Sequence, residues 1–335
     1  MEKPAPASAS ETTASSTILV VGKGSRAGGG VFNYGGYAFV SDFACPRYDW
    51  LVVYDEFAAP LALRCPRERT ILATVEPCSI KVYSRAFTRQ FGHLLTNRPW
   101  ACERHPHYHL GRGYYRWFLG RTPQEVDETV LPPKEKLISA VCSSKKMRHT
   151  GHHARFRLVE TLAREIPELD WFGHGVRPFD RKCEVTDPYK YQVVVENHIA
   201  PHHWSEKVSD AFLSECLPFY AGAPDLGDDF PPESFIPIPV DDPAEAVRIV
   251  RRALDDGAYE RRREAVLAAK RLVREKYNFW AQVIALIEAE RGQRVTPVDP
   301  SRPVVLLPRK TLRRRNLSAA LEEGWFHLRQ YCRLA

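Results

Sequence analysis

A chain of 335 residues has room for about two domains, and its 44% hydrophobic, 27% charged and 11% aromatic content excludes disordered, collagen-like and coiled-coil classes. No apolar run approaches the ~18 residues of a membrane span. The net charge of +7 is uneven: residues 301–335 hold eight Lys/Arg against two acids, while residues 1–300 hold 40 against 39. The body is nearly neutral, so no nucleic-acid partner is expected.

Residues 1–17 lack the apolar core of a signal peptide and are expected to form a disordered leader. Eight scattered cysteines without CxxC spacing suggest reduced thiols and a cytoplasmic location. The first predicted strand is Ile18–Val21, followed by a glycine-rich stretch as in a Rossmann-like unit. Its GxGxxG match is incomplete, because Ala27 falls where the third glycine should be. Trp50–Tyr54 and Ile71–Val75 are short apolar runs of the buried parallel-sheet kind, the second ending in Glu76-Pro77. Pro99 to Pro133 has no period and is expected to be irregular.

The second half alternates more cleanly. Leu137–Val141, Leu169–Phe172, Tyr191–Val195 and Leu217–Ala221 are predicted strands. Helices are predicted from near His153, over Ser205 to Cys216, over Ala244–Leu254, and through Tyr259 to Arg291. Ser205 is the expected cap of the second of these, with Glu206 in its first turn. Strand–loop–helix units in both halves imply two α/β domains.

Two loops have the makings of a diphosphate site. One delivers Arg155 to the start of a helix, and the other, His202-His203-Trp204-Ser205-Glu206-Lys207, places Lys207 in a first helical turn. Helix N-termini supply unpaired N–H groups, Arg forks onto phosphate oxygens, and Lys adds a point charge. His105, His107 and His109 alternate like metal ligands but lack an acidic partner at metallohydrolase spacing, so a metal site is not expected. Asp228-Asp229 and Asp241-Asp242 are expected to cap turns.

Tyr189-Lys190-Tyr191-Gln192-Val193-Val194-Val195-Glu196-Asn197 resembles the YKFxLxFEN signature of glycosyltransferase family 10, the α-1,3-fucosyltransferases. Ser205-Glu206-Lys207 is similar to the family's TEK, Leu217-Pro218-Phe219-Tyr220-Ala221-Gly222 to its (V/I)PxxxG, and Phe230-Pro231-Pro232-Glu233-Ser234-Phe235-Ile236 to its FxPxSFI. Ala154-Arg155-Phe156-Arg157 resembles its arginine-bearing helix start. These blocks cover roughly residues 135–250; the first half resembles the family only through Val75-Glu76-Pro77. Val195 replaces the usual aromatic, His198 the usual Ser or Thr, and His203 a tyrosine found in some members, so the donor sugar is open.

The resemblance implies an α/β fold of GT-B architecture, two facing Rossmann-like domains with a cleft between them. The expected division is a leader (1–17), an acceptor-side domain (18–133), a donor domain (134–291) and a basic tail (292–335). It implies inverting transfer of fucose from GDP-fucose to an acceptor glycan, of oligosaccharide or lipopolysaccharide type, with no cofactor and no obligatory metal. Arg155 and Lys207 would neutralise the leaving diphosphate. Glu196, Asn197, His203 and Glu206 would line the donor pocket, and Glu76 would be the general base, with Glu196 its rival. Another nucleotide-sugar, or a non-catalytic sugar-nucleotide or glycan-binding protein, is the alternative. The tail mixes Arg313–Arg315 with Trp325, Phe326 and Tyr331; it suits either an anionic membrane surface or a helix packed back on the body.

Overall fold

The computed structural model describes residues 16–23, 29–98, 105–145 and 151–332. The first half supplies β1 (Thr17–Gly22), β2 (Val31–Tyr34), β3 (Tyr37–Val40), β4 (Trp50–Tyr54), β5 (Leu61–Ala62), β6 (Thr70–Ala73), the short α1 (Arg85–Thr88), β7 (His93–Thr96), β8 (Tyr108–Leu110) and α2 (Pro123–Glu128). Seven of these strands form one sheet in the order β2-β3-β1-β4-β6-β7-β8, parallel except for the β2–β3 hairpin. Both faces are covered: Ile18, Val20 and Val52 enter one core cluster, and Leu19, Val21, Leu51 and Val53 the other. Double burial is why these strands are continuous runs of Val, Leu and Ile.

The second half supplies β9 (Lys136–Val141), α3 (His152–Glu165), β10 (Leu169–Phe172), β11 (Tyr189–Val195), α4 (Glu206–Leu213), β12 (Leu217–Ala221), β13 (Ile236–Pro237), α5 (Pro243–Asp255), α6 (Ala258–Glu275) and α7 (Phe279–Ala289). Its sheet is wholly parallel, in the order β10-β9-β11-β12-β13. Two Rossmann-like sheets in one chain is the expected α/β class.

The structure departs from the expected elements at two places. The segment between Pro99 and Pro133 is not wholly irregular: it contains β8, which extends the first sheet, and α2. Helix α2 starts with a reciprocal capping box, in which Glu125 N donates to Thr122 Oγ1 at 3.2 Å and Thr122 N to Glu125 Oε2 at 2.7 Å. The helical sequence ending at Arg291 is two helices. Asn278 caps the second, its Oδ1 accepting from Ala281 N at 2.8 Å.

That break turns α7 onto the first sheet, where Trp280 meets Phe32 edge-on at 5.7 Å and Phe279 meets Tyr54 at 5.1 Å. The chain then returns to the first half. β14 (Val305–Leu306) pairs antiparallel with β5, and α8 (Arg309–Arg315) and α9 (Leu317–Cys332) follow. Arg309 joins Glu56 at 3.2 Å and the buried Glu323 at 2.8 Å, so the tail packs back on the body. Its outer face stays apolar: Leu317, Leu321, Trp325 and Leu328 are 52–77% exposed. Among the described residues no helix is long and apolar enough to cross a membrane.

Candidate active site

In a parallel sheet the loops beyond the carboxyl ends of the strands form the binding crevice. Here Asp55 follows β4, Glu76 lies beyond β6, Asn97 follows β7 and Glu196 follows β11. These ends meet: Ser79 Oγ lies 2.9 Å from His198 Nδ1, and Asn97 Nδ2 donates to His203 Nδ1 at 2.8 Å. Gly113 admits the buried Trp204 ring, which would stand 1.9 Å from a Cβ there; its φ of +66° also favours glycine.

The charged cluster around Lys207 grows from one helix start. Ser205 is the N-cap of α4, so Glu206 and Lys207 occupy its first turn. Glu196 is 1% exposed and fully engaged: Ser205 N donates to its Oε1 at 3.0 Å, Ser205 Oγ lies 2.8 Å from both oxygens, and Lys207 Nζ lies 3.1 Å from Oε2. A carboxylate so occupied is a brace for Lys207, not a free base. Lys207 also reaches Glu206 Oε1 at 3.2 Å. Burial acts to lower the Lys207 pKa, but the Glu196 and Glu206 carboxylates outweigh it and hold the ammonium above its ordinary value. Burial likewise acts to raise Glu206, and the Lys207 and Lys182 charges overcome it, holding that carboxyl low.

Arg155 lies in the first turn of α3 and donates from Nη2 to Val141 O at 2.7 Å, at the end of β9. Its Nε is buried without a hydrogen-bond partner. Arg155, Lys207, Glu206, Lys182 and Arg181 share the walls of one cavity of ≈ 530 Å³ with Trp117, Phe118 and Phe179. That volume is in the range of a small-molecule site.

The remaining expected residues are not among the walls of this cavity. Asn197 is half-buried; its carbonyl accepts from Gly151 N at 3.1 Å and would stand 2.5 Å from any Cβ at Gly151. Glycine is therefore required where the loop leading into α3 crosses β11's end. His203 is buried and is not among the cavity's walls. Glu76 stands on the opposite sheet, close enough to feel both Lys207 and Glu206; burial and then the Asp55 charge push its carboxyl above the usual range, against Lys81 and Lys207. Sequence reasoning missed the groups that set up Glu76. Asp55 has φ +73°, an unusual conformation for a non-glycine residue. It holds Lys81 Nζ at 2.6 Å and the Tyr83 hydroxyl, while Arg98 donates to the Glu76 carbonyl. A carboxylate directly after a buried strand was the one signal available.

The expectation that both acid pairs cap turns needs correction. Asp242 does cap α5, accepting from Glu245 N at 2.9 Å. Asp229 does not cap: it is buried, takes Arg112 Nε at 2.6 Å and Trp204 Nε1 at 2.7 Å, and so pins the Trp204 contact. Most of the imperfect GxGxxG stretch, residues 24–28, lies outside the described residues.

His203 makes a pH prediction. Burial lowers its pKa to about 4, and its Nδ1 accepts from Asn97, so the folded protein holds it neutral. The unfolded chain binds that proton near pH 6.5, so stability is intact above pH 6.5 and is lost as pH falls towards 4. Thermal melts should show a loss on the order of 3 kcal/mol across that window. His203→Asn should flatten it.

No family model matches the chain, and no curated protein matches it. Among solved structures it is similar to an α1,3-fucosyltransferase at 16% identity, over 85% of this chain and 92% of that one, with a TM-score of 0.47. An α1,3-fucosyltransferase with GDP-fucose is similar at 14% identity, over 84% and 94%, with a TM-score of 0.45. An α,α-trehalose-phosphate synthase (UDP-forming) from Burkholderia vietnamiensis is similar at 10% identity, over 83% and 100%, with a TM-score of 0.46.

Proposed function

We propose that this chain is an inverting glycosyltransferase of GT-B type that moves fucose from GDP-fucose to a hydroxyl of an acceptor glycan. The observation that carries the reading is the placement of Arg155 and Lys207 in one cavity at two helix starts, with Glu76 on the facing sheet. The donor diphosphate would lie against the two cations and the α4 N–H groups. The aromatic walls, Trp117, Phe118 and Phe179, offer surface for the base. Glu76 would take the acceptor hydroxyl proton as that oxygen attacks the anomeric carbon from the face opposite the diphosphate. The carbon–oxygen bond to the β-phosphate breaks, and GDP departs with the electron pair. Fixed cations favour this step because charge on the leaving group grows towards the transition state.

Incubation with GDP-fucose and a glycan panel should give a deoxyhexose mass increment without added Mg²⁺ or Mn²⁺. Transfer from a different nucleotide-sugar would move the donor assignment; GDP binding without transfer from any donor would make the chain a binding protein. The tail supports a membrane-surface proposal of its own, since the exposed stripe Leu317, Leu321, Trp325 and Leu328 adjoins Arg313–Arg315. The full chain should then float with phosphatidylglycerol vesicles and not with phosphatidylcholine vesicles, and Trp325→Ser should reduce flotation. Equal recovery on both lipids would remove the proposal.

A further inference from the structure

We infer that His93, His109 and Glu290 form a binding site for a zinc-class divalent cation, tying the outer edge of the first sheet to the end of α7. The site is independent of the transferase reading. β7 and β8 are parallel neighbours with Leu95 opposite His109, and His93 lies two residues before Leu95. Side-chain alternation puts both imidazoles on one face of the sheet. Glu290, the residue closing α7, arrives over that face.

The three ligand atoms converge. His93 Nδ1 lies 3.3 Å from His109 Nε2, that same Nε2 lies 3.5 Å from Glu290 Oε1, and all three lie within 4.8 Å of one another. Hydrogen bonding accounts poorly for this convergence. His109 Nε2 faces two partners and carries one proton at most; when bare it faces a carboxylate lone pair. A cation between the three satisfies every lone pair at once. Two bonds of 2.0–2.1 Å at a tetrahedral angle separate their ligand atoms by about 3.3–3.4 Å, which the 3.3 and 3.5 Å edges approach, while the His93–Glu290 edge stays within 4.8 Å. An octahedral site with bonds of about 2.1 Å would need edges near 3.0 Å.

The donor set, two imidazoles and one carboxylate, is a zinc set, and three protein ligands leave a fourth position for water. His93 is fully buried, whereas His109 and Glu290 keep 27% and 23% of their side chains exposed, which gives an ion a way in. In the sequence, His105, His107 and His109 alternate like ligands, and no metal site is expected of them. The structure sends the His105 ring towards the Phe91 and His107 carbonyls, and substitutes His93 and Glu290.

The test titrates ZnCl₂ into the chelator-stripped, dialysed full chain. Calorimetry should give one site per chain, and Tm should rise by roughly 3–8 °C at a hundredfold excess over Kd. Co²⁺ should give the intense visible bands of a tetrahedral centre. His109→Asn and Glu290→Gln alter partly exposed side chains, so both should stay folded by circular dichroism and lose the one-site uptake and the Tm rise. His107→Asn, beside the site but outside it, should keep both. Zinc uptake that survives both ligand variants, or no uptake by the unmodified chain, overturns the inference. If His109→Asn fails to fold, Glu290→Gln decides it alone.

Discussion

Arg155→Ala should lower kcat/KM for the donor by about 10²–10³-fold while leaving the melting temperature within a degree or two of the unmodified chain. The two halves of this expectation come from the same geometry. Among the described residues Arg155 has no carboxylate partner: one nitrogen donates to the Val141 carbonyl, and Nε is buried without an acceptor. Its removal leaves no buried charge unpaired and relieves one unsatisfied donor, so folding loses little. The diphosphate, by contrast, loses a planar fork that Lys cannot reproduce, so Arg155→Lys should recover only part of the rate. Steady-state kinetics and thermal melts on the same preparations read both effects. Lys207→Ala is the less clean experiment. It strands the Glu196 carboxylate, and the stability cost is on the order of 3 kcal/mol, tempered by the partial exposure of Lys207. A stability loss in Arg155→Ala as large as its rate loss would make Arg155 a structural residue.

Glu76→Gln should lower turnover by roughly 10²–10⁴-fold, keep GDP binding, and leave the protein as stable as before or more so near neutral pH. The stability sign follows from the raised carboxyl. A group that holds its proton more tightly folded than unfolded contributes stability below the unfolded value of about 4.3, and that contribution is lost as pH rises through the folded value. At neutral pH the ionised Glu76 is therefore a cost, imposed by burial and by Asp55, and the neutral amide removes it. The rate shows the opposite dependence. A base must be ionised to accept the acceptor's proton, so kcat/KM should climb with pH through the raised Glu76 value, and Glu76→Gln should erase that limb. Loss of GDP binding together with turnover would return Glu76 to a structural role at the strand end.

The cluster around Lys207 was legible because its chemistry is local. Ser205-Glu206-Lys207 is an N-cap followed by two charged residues, and neighbours in sequence are neighbours in space at a helix start. Glu196 was legible as an acid ending a buried strand, but nothing local announced that Ser205 and Lys207 would occupy its oxygens. The surroundings of Glu76 were hardly legible. Asp55, Lys81 and Arg98 are ordinary charged residues in sequence, and they surround Glu76 only because β4 and β6 lie side by side. Asp229 was misread as a cap because nothing local announces Arg112 or the Trp204 indole.

What the sequence by itself determined is whatever repeats at short range: the buried parallel strands, the helix starts after them, the α/β class and the two cations at helix starts. Backbone hydrogen bonding and side-chain periodicity act over a few residues, so they can be read along the chain. What only the tertiary structure decided is everything that depends on long loops closing. That includes Glu76 facing Lys207, the tail settling on Glu56 instead of hanging free, and His93, His109 and Glu290 meeting at one point. Those contacts are set by which sheet edges and helix ends the packed core brings together, and no local pattern encodes that choice.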